Sequence, residues 1–154
     1  MSAINRKVAL DAAAELCRHF EGFSSKPYLC PAGYWTIGYG TVYKPDGSVV
    51  TKAHPNISRE TANSWLLYEL EHNYMAGVLA KSPNLIRHPF ILAAITDFAY
   101  NLGVARYRAS TLARRIASED WAAAKVELAK WTRGGGRILP GLVRRRAAEI
   151  KLFP

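Results

Sequence analysis

Glu21-Gly22-Phe23-Ser24-Ser25-Lys26-Pro27-Tyr28-Leu29-Cys30-Pro31-Ala32-Gly33-Tyr34-Trp35-Thr36-Ile37-Gly38-Tyr39-Gly40 is the stretch that decides how this chain folds. Upstream of it, Ile4, Val8, Ala12, Leu16 and Phe20 recur every four residues, which sets them near one stripe of a helix running up to Glu21. Gly22 supplies the stop, because glycine commonly follows a helix end. Downstream, residues 28–51 change to Tyr, Trp, Thr, Ile and Val broken by glycines, the texture of short strands. Lys44-Pro45-Asp46-Gly47 reads as a turn between Thr41-Val42-Tyr43 and Ser48-Val49-Val50-Thr51. A small antiparallel sheet is therefore expected near the N-terminus.

Beyond the sheet the pattern is helical. Ser58 is a fitting N-cap for a long helix over about 59–80, with Trp65, Leu66, Leu70 and Val78 as its buried positions. Ser82-Pro83-Asn84 ends it, and Pro89 opens another in which Phe90, Ala93, Ala94, Phe98 and Leu102 keep helical spacing up to Gly103. Shorter helices are expected over about 110–117, 118–131 and 141–152, with Gly134-Gly135-Gly136 as a flexible connection. The chain is read as α+β and mainly helical.

A length of 154 residues suits one domain of about 100 to 200 residues. With 49% hydrophobic and 21% charged residues the composition is that of a globular protein and excludes a disordered one. No apolar run reaches the roughly 18 residues of a membrane span. Asp11, Glu15, Arg18 and His19 interrupt the N-terminal segment, so no secretion signal is expected there and synthesis in a cytoplasm is. In that compartment Cys17 and Cys30 are expected to be reduced. His19, His54, His72 and His88 show no metal-ligand spacing, and neither a metal nor a cofactor is expected. The net charge of +9 attracts polyanions in general and selects none of them.

Glu21 is followed nine positions later by Cys30 and six later again by Thr36, inside the frame Glu21-Gly22, Tyr28 and Thr36-Ile37-Gly38-Tyr39-Gly40. With these residues together, the segment resembles the catalytic signature of phage-type lysozymes, glycoside hydrolase family 24. The likeness continues through Phe98-Ala99-Tyr100-Asn101-Leu102-Gly103, Ser110-Thr111-Leu112 and Gly141-Leu142-Val143-Arg144-Arg145-Arg146-Ala147-Ala148-Glu149, covering most of the chain in the family's order. It implies one lysozyme-like catalytic domain over 1–154. A sheet lobe (about 22–57) and a helical lobe (about 1–21 and 82–154) would be joined by a connecting helix (about 58–81), with the cleft between the lobes. It further implies a muramidase that cleaves the β-1,4 bond between N-acetylmuramic acid and N-acetylglucosamine in peptidoglycan. The enzyme would act as an endolysin that leaves the host cytoplasm through a separate pore-forming protein at the end of phage growth. Glu21, Cys30 and Thr36 fall on the family's catalytic positions, and Asn101 on a cleft amide able to hydrogen-bond a sugar acetamido group.

The chemistry of the residues agrees. Breaking a glycosidic bond requires a proton for the departing oxygen, and a glutamate at a helix end between Phe20 and Phe23 sits where an anion is disfavoured. Cys30 leaves three roles open: a thiolate base, a group that positions water beside Thr36, or a covalent nucleophile; a small apolar filler is the plainer alternative. The Thr36 hydroxyl both donates and accepts, which suits it to hold an attacking water. Trp35 and Tyr39, with Tyr34, are candidates to stack on sugar rings or to pack the sheet. Arg144, Arg145 and Arg146 form either a solvated basic face or a docking surface for anionic outer-membrane or wall polymers.

Two rival readings stand beside the hydrolase. A lytic transglycosylase needs one acid/base glutamate and makes anhydro-sugars, so a thiol at position 30 would matter less. A basic binding module for cell wall or nucleic acid would turn nothing over, and no nucleic-acid recognition motif is present. A cleft enzyme of this size can act as a monomer.

Overall fold

The computed structural model describes residues 2–154. Helix α1 (Ser2–Glu21) ends at Glu21, as the Gly22 stop requires, and Gly22 takes a φ of +70°. Its buried face is Ala9, Ala13, Ala14 and Cys17. The larger stripe from Ile4 to Phe20 lies to one side of that face, with Ile4 66% exposed. Small side chains win the inner position because they let α1 lie close against α4 (Pro89–Leu102). Helix α4 is apolar on almost every side, with Ile91 to Ala99 all buried, and forms the axis of the core.

The sheet consists of β1 (Ser24–Leu29) and β2 (Trp35–Gly38), antiparallel, with Tyr28 opposite Thr36 and Leu29 opposite Trp35. Its register slips between Ser24 and Tyr28, around Pro27, which has no N–H to give to a ladder. The expected hairpin over 41–51 is a looser extension, held by single bridges at Ile37↔Thr41 and Tyr43↔Val49 and a turn in which Gly47 N–H donates to the Lys44 carbonyl.

The connecting segment departs from one continuous α-helix. It runs as α2 (Arg59–Glu69), a π-helical segment (Leu70–Met75) and α3 (Ala76–Lys81). Ser58 caps it through the Thr61 N–H; Leu66, Leu70 and Val78 are buried as expected, while Trp65 is half-buried. After a short 3₁₀ turn (Pro83–Arg87) and α4 come α5 (Val104–Ala109), α6 (Thr111–Ala117) and α7 (Trp121–Ala129). The triple glycine is not a flexible connection. Gly135 and Gly136, at φ +58° and +80°, form the tight turn of a hairpin between β3 (Arg133–Gly134) and β4 (Arg137–Ile138). Helix α8 (Pro140–Ile150) closes the chain against α4. Among the described residues no helix is long and apolar enough to cross a membrane.

Candidate active site

Between the sheet and the helical body lies a cleft of about 610 Å3, walled by Glu21, Tyr28, Cys30, Tyr34, Thr36, Tyr43, Glu69, Tyr74, Tyr100 and Asn101. A second depression, of about 450 Å3 near His19, Leu139 and Arg144, contains none of Glu21, Cys30 and Thr36, so the chemistry points to the larger one.

Each of the three comes from a different piece of local structure. Glu21 is the last residue of α1, its side chain 26% exposed. Cys30 follows β1 and begins the tight turn into β2. The Gly33 N–H donates to the Cys30 carbonyl (2.8 Å), and the Tyr34 N–H reaches both towards and past the turn to the Cys30 sulfur at 3.4 Å. That N–H is the largest influence on Cys30, and together with the N–H groups of Ala32 and Gly33 and the Thr36 hydroxyl it outweighs desolvation and lowers the Cys30 pKa. Thr36, nearly buried on β2, donates to the Tyr34 carbonyl at 2.9 Å.

Of the expected sugar-binding residues, Asn101 lies on the cleft wall, where its Oδ1 accepts from Arg146 Nη2 at 2.8 Å. Tyr39 does not reach the cleft. It is 7% exposed, packs against Phe23 with ring centres 5.5 Å apart, and offers only its backbone carbonyl, to the Tyr100 hydroxyl at 2.7 Å. Trp35 is likewise absent from the cleft wall, because neighbours along a strand point to opposite faces and Thr36 takes the inner one. Exposed rings on that wall belong instead to Tyr28, Tyr34 and Tyr43.

The arginine run is also corrected. Arg144 is exposed, but Arg145 and Arg146 are 4% and 1% exposed, so the three do not form one docking face. Successive helix residues point about 100° apart, which turns two of the three inward against α4. Arginine is tolerated there because it is paired. Arg145 donates to both Asp97 oxygens (2.9 and 2.8 Å) and, through Nη1, to Glu21 Oε1 at 2.7 Å. Arg146 Nη2 donates to Glu149 Oε1 at 2.9 Å as well as to Asn101.

Burial alone would raise the Asp97 pKa; the bonds from Arg145 hold it below the usual range. Glu149 goes the other way, pushed well up by burial and by the neighbouring Asp97. The Cys17 thiol, buried and pushed up by that burial, donates to Asp97 Oδ1 at 3.1 Å; it is a core residue, apart from Cys30.

Gly40 completes the wall opposite Glu21. A Cβ there would come within 3.2 Å of Glu21 Oε2 and 3.1 Å of the Tyr100 hydroxyl, and its φ of +85° suits glycine alone. Asp97, Glu69 and the Arg145 contact with Glu21 were not singled out from the sequence. A signal existed for Asp97, a lone carboxylate within an apolar helical run; Glu69, with Glu71 and His72 close behind it, gave none.

A helix-end acid facing a thiol and a hydroxyl, in a cleft between a small sheet and a helical body, defines a lysozyme-type glycosidase. The chain belongs to the phage lysozyme family, whose model matches residues 18–149. It is 32% identical over 146 residues to the endolysin of Acyrthosiphon pisum secondary endosymbiont phage 1, covering 90% of this chain and 92% of that one. Among solved structures it is similar to the endolysin from Escherichia coli O157:H7 phage FAHEc1, with a TM-score of 0.79 and 25% identity over 92% of this chain and 89% of that one. It is also similar to the muramidase domain of SpmX from Asticaccaulis excentricus, with a TM-score of 0.71 and 26% identity over 92% and 93% of the two chains.

Proposed function

We propose that this protein is a phage endolysin that hydrolyses the β-1,4 bond between N-acetylmuramic acid and N-acetylglucosamine in peptidoglycan, with Glu21 as general acid. The observation that carries this reading is the convergence of Glu21, Cys30 and Thr36 on one cleft. Arg145 engages Glu21 Oε1, so Oε2, on the Gly40 side, is the oxygen that carries the proton to the leaving sugar. On the other side, Cys30 and Thr36 hold the attacking water, and the lowered thiol pKa favours Cys30 as the group that draws its proton away. Because Asn101 Oδ1 is occupied by Arg146, its N–H groups remain to donate to an acetamido carbonyl.

The whole of residues 1–154 acts as one catalytic domain and as a monomer, since the cleft is complete within one chain. Release from the host cytoplasm runs through a separate pore-forming protein. Docking on anionic wall or outer-membrane polymers falls to Arg144 together with the exposed Arg133 and Arg137, in place of the Arg144-Arg145-Arg146 run.

Product analysis on purified peptidoglycan, with the native chain, Glu21→Gln and Cys30→Ser, tests the reaction. Reducing ends from the native protein and a loss of about a hundredfold or more in Glu21→Gln are expected. Anhydro-sugars would replace hydrolysis with transglycosylation, the outcome a thiol at position 30 leaves room for. Full activity in Glu21→Gln would overturn the assignment.

A further inference from the structure

Two carboxyl groups line the cleft, and the reaction as proposed uses one. The other, Glu69, is 7% exposed, and its Oε1 has no hydrogen-bond partner among the described residues. The fully buried Thr41 hydroxyl lies beside that carboxyl and is the one polar side chain that favours its anion. Oε1 is sealed from solvent on the Thr41 side, so a ligand in the cleft meets the other oxygen, Oε2, which no group of the described residues engages.

The backbone explains how Glu69 comes to face the cleft. It is the last residue of α2, directly before the π-helical segment, and Tyr74 lies within that segment. In an α-helix two residues five apart are turned about 140° from each other, so Glu69 and Tyr74 would look to different sides. A π turn closes residue i onto i+5 and brings them back over one another. Both then line the cleft.

The groups facing Glu69 are Thr41 from the segment after β2, Tyr74 from the π segment and Tyr100 from α4, with Glu21 and Cys17 of α1 beyond them. Among the described residues no lysine or arginine lines the cleft to hold Glu69 as an anion.

We propose that Glu69 is a substrate-positioning residue whose carboxyl donates a hydrogen bond to a carbonyl oxygen of the bound glycan, such as that of an acetamido group. This rests on the reading of the cleft as a glycan site. Burial raises the Glu69 pKa to about 7, with Thr41 pulling the other way, so the proton needed for donation is present on the acid side of neutrality. Once ionised, the carboxylate has nothing to offer a carbonyl.

Steady-state kinetics on soluble, uncross-linked glycan fragments across the pH range decide the matter. Glu69→Ala raises KM about tenfold and leaves kcat within about twofold, because the contact is made equally in ground and transition states. Glu69→Gln, an amide donor of the same shape, restores the native KM. The native KM climbs as pH rises through about 7, while that of Glu69→Gln stays level. A native KM in folded Glu69→Ala, or the same climb in Glu69→Gln, overturns the proposal. If the alanine variant does not fold, the glutamine comparison decides alone.

If the native protein cuts nothing, the reaction itself is misread. Binding of chitotetraose, followed by isothermal titration calorimetry, then tests the subsite separately. Native affinity that weakens above neutrality beside a level Glu69→Gln supports it, and two parallel curves overturn it.

Discussion

Replacing Glu69 by glutamine should stabilise the protein at neutral pH and do nothing in acid. Burial lifts the Glu69 pKa from the usual 4.5 to about 7 in the folded state. Between those two values the folded chain holds a proton that the unfolded chain has released, so stability falls as pH climbs through that window. It is full below about 4.5 and has been lost once pH passes about 7. At about 1.4 kcal/mol per pH unit the loss is roughly 3 kcal/mol. A chain of this length changes Tm by about 2 to 4 °C per kcal/mol, which makes the expected effect about 10 °C.

Glutamine keeps the shape and titrates nothing. The assay is thermal unfolding of native and Glu69→Gln proteins, followed by circular dichroism from about pH 4 to about pH 8. Subtracting one Tm curve from the other cancels every other titrating group. The difference should widen by about 10 °C in favour of the variant between the two ends. A difference that stays constant with pH would refute the reasoning, because it would mean that the folded protein holds the Glu69 charge as easily as water does.

Cys30 should alkylate with iodoacetamide at a lower pH than free cysteine, since the Tyr34 N–H favours its thiolate, while buried Cys17 stays unlabelled in the native protein. Mass spectrometry of the labelled sites across pH checks both, and labelling of Cys30 that tracks free cysteine would refute the first. Arg145→Met should cost about 3 to 5 kcal/mol in urea unfolding, because it leaves Asp97 buried without its cation. In the double variant with Asp97→Asn much of that loss should return; simple additivity of the two changes would show that the pair does not interact.

That Glu21, Cys30 and Thr36 would share one cleft was legible because they are local to one another. Glu21, Cys30 and Thr36 lie within sixteen consecutive residues spanning one helix end and one tight turn, and short-range rules for helix stops and turns bring them to the same cleft. What sequence reasoning missed depends on elements far apart in the chain. Arg145 lies 124 residues from Glu21, and a run of three arginines reads as surface until the helix it sits on is docked against α4. For Tyr39 and Trp35 the sequence left sugar stacking and sheet packing both open, because strand alternation puts Thr36 and Trp35 on opposite faces, but which face meets the cleft is settled only when the sheet packs on α2. The π segment had no signal in the residue pattern, because widening one turn changes the facing of side chains without changing which residue types suit a helix.

The buried charges also explain how a residue at a frayed position can be held still. Glu21 is the last residue of its helix, where no following turn restrains it, and a free glutamate side chain has about 1.5 to 2 kcal/mol of rotamer entropy to lose. Asp97 sits in the middle of α4, the most buried helix, and fixes Arg145 through both of its oxygens. Arg145 in turn fixes one oxygen of Glu21. The order imposed on Glu21 is therefore borrowed from the core, through the hydrogen bonds of Arg145 rather than through the helix that carries it. Gly40 then leaves open the one direction that Arg145 does not occupy. Any side chain there would meet Glu21 Oε2 and the Tyr100 hydroxyl together, so the position that keeps that oxygen clear is also the one that backbone geometry restricts to glycine.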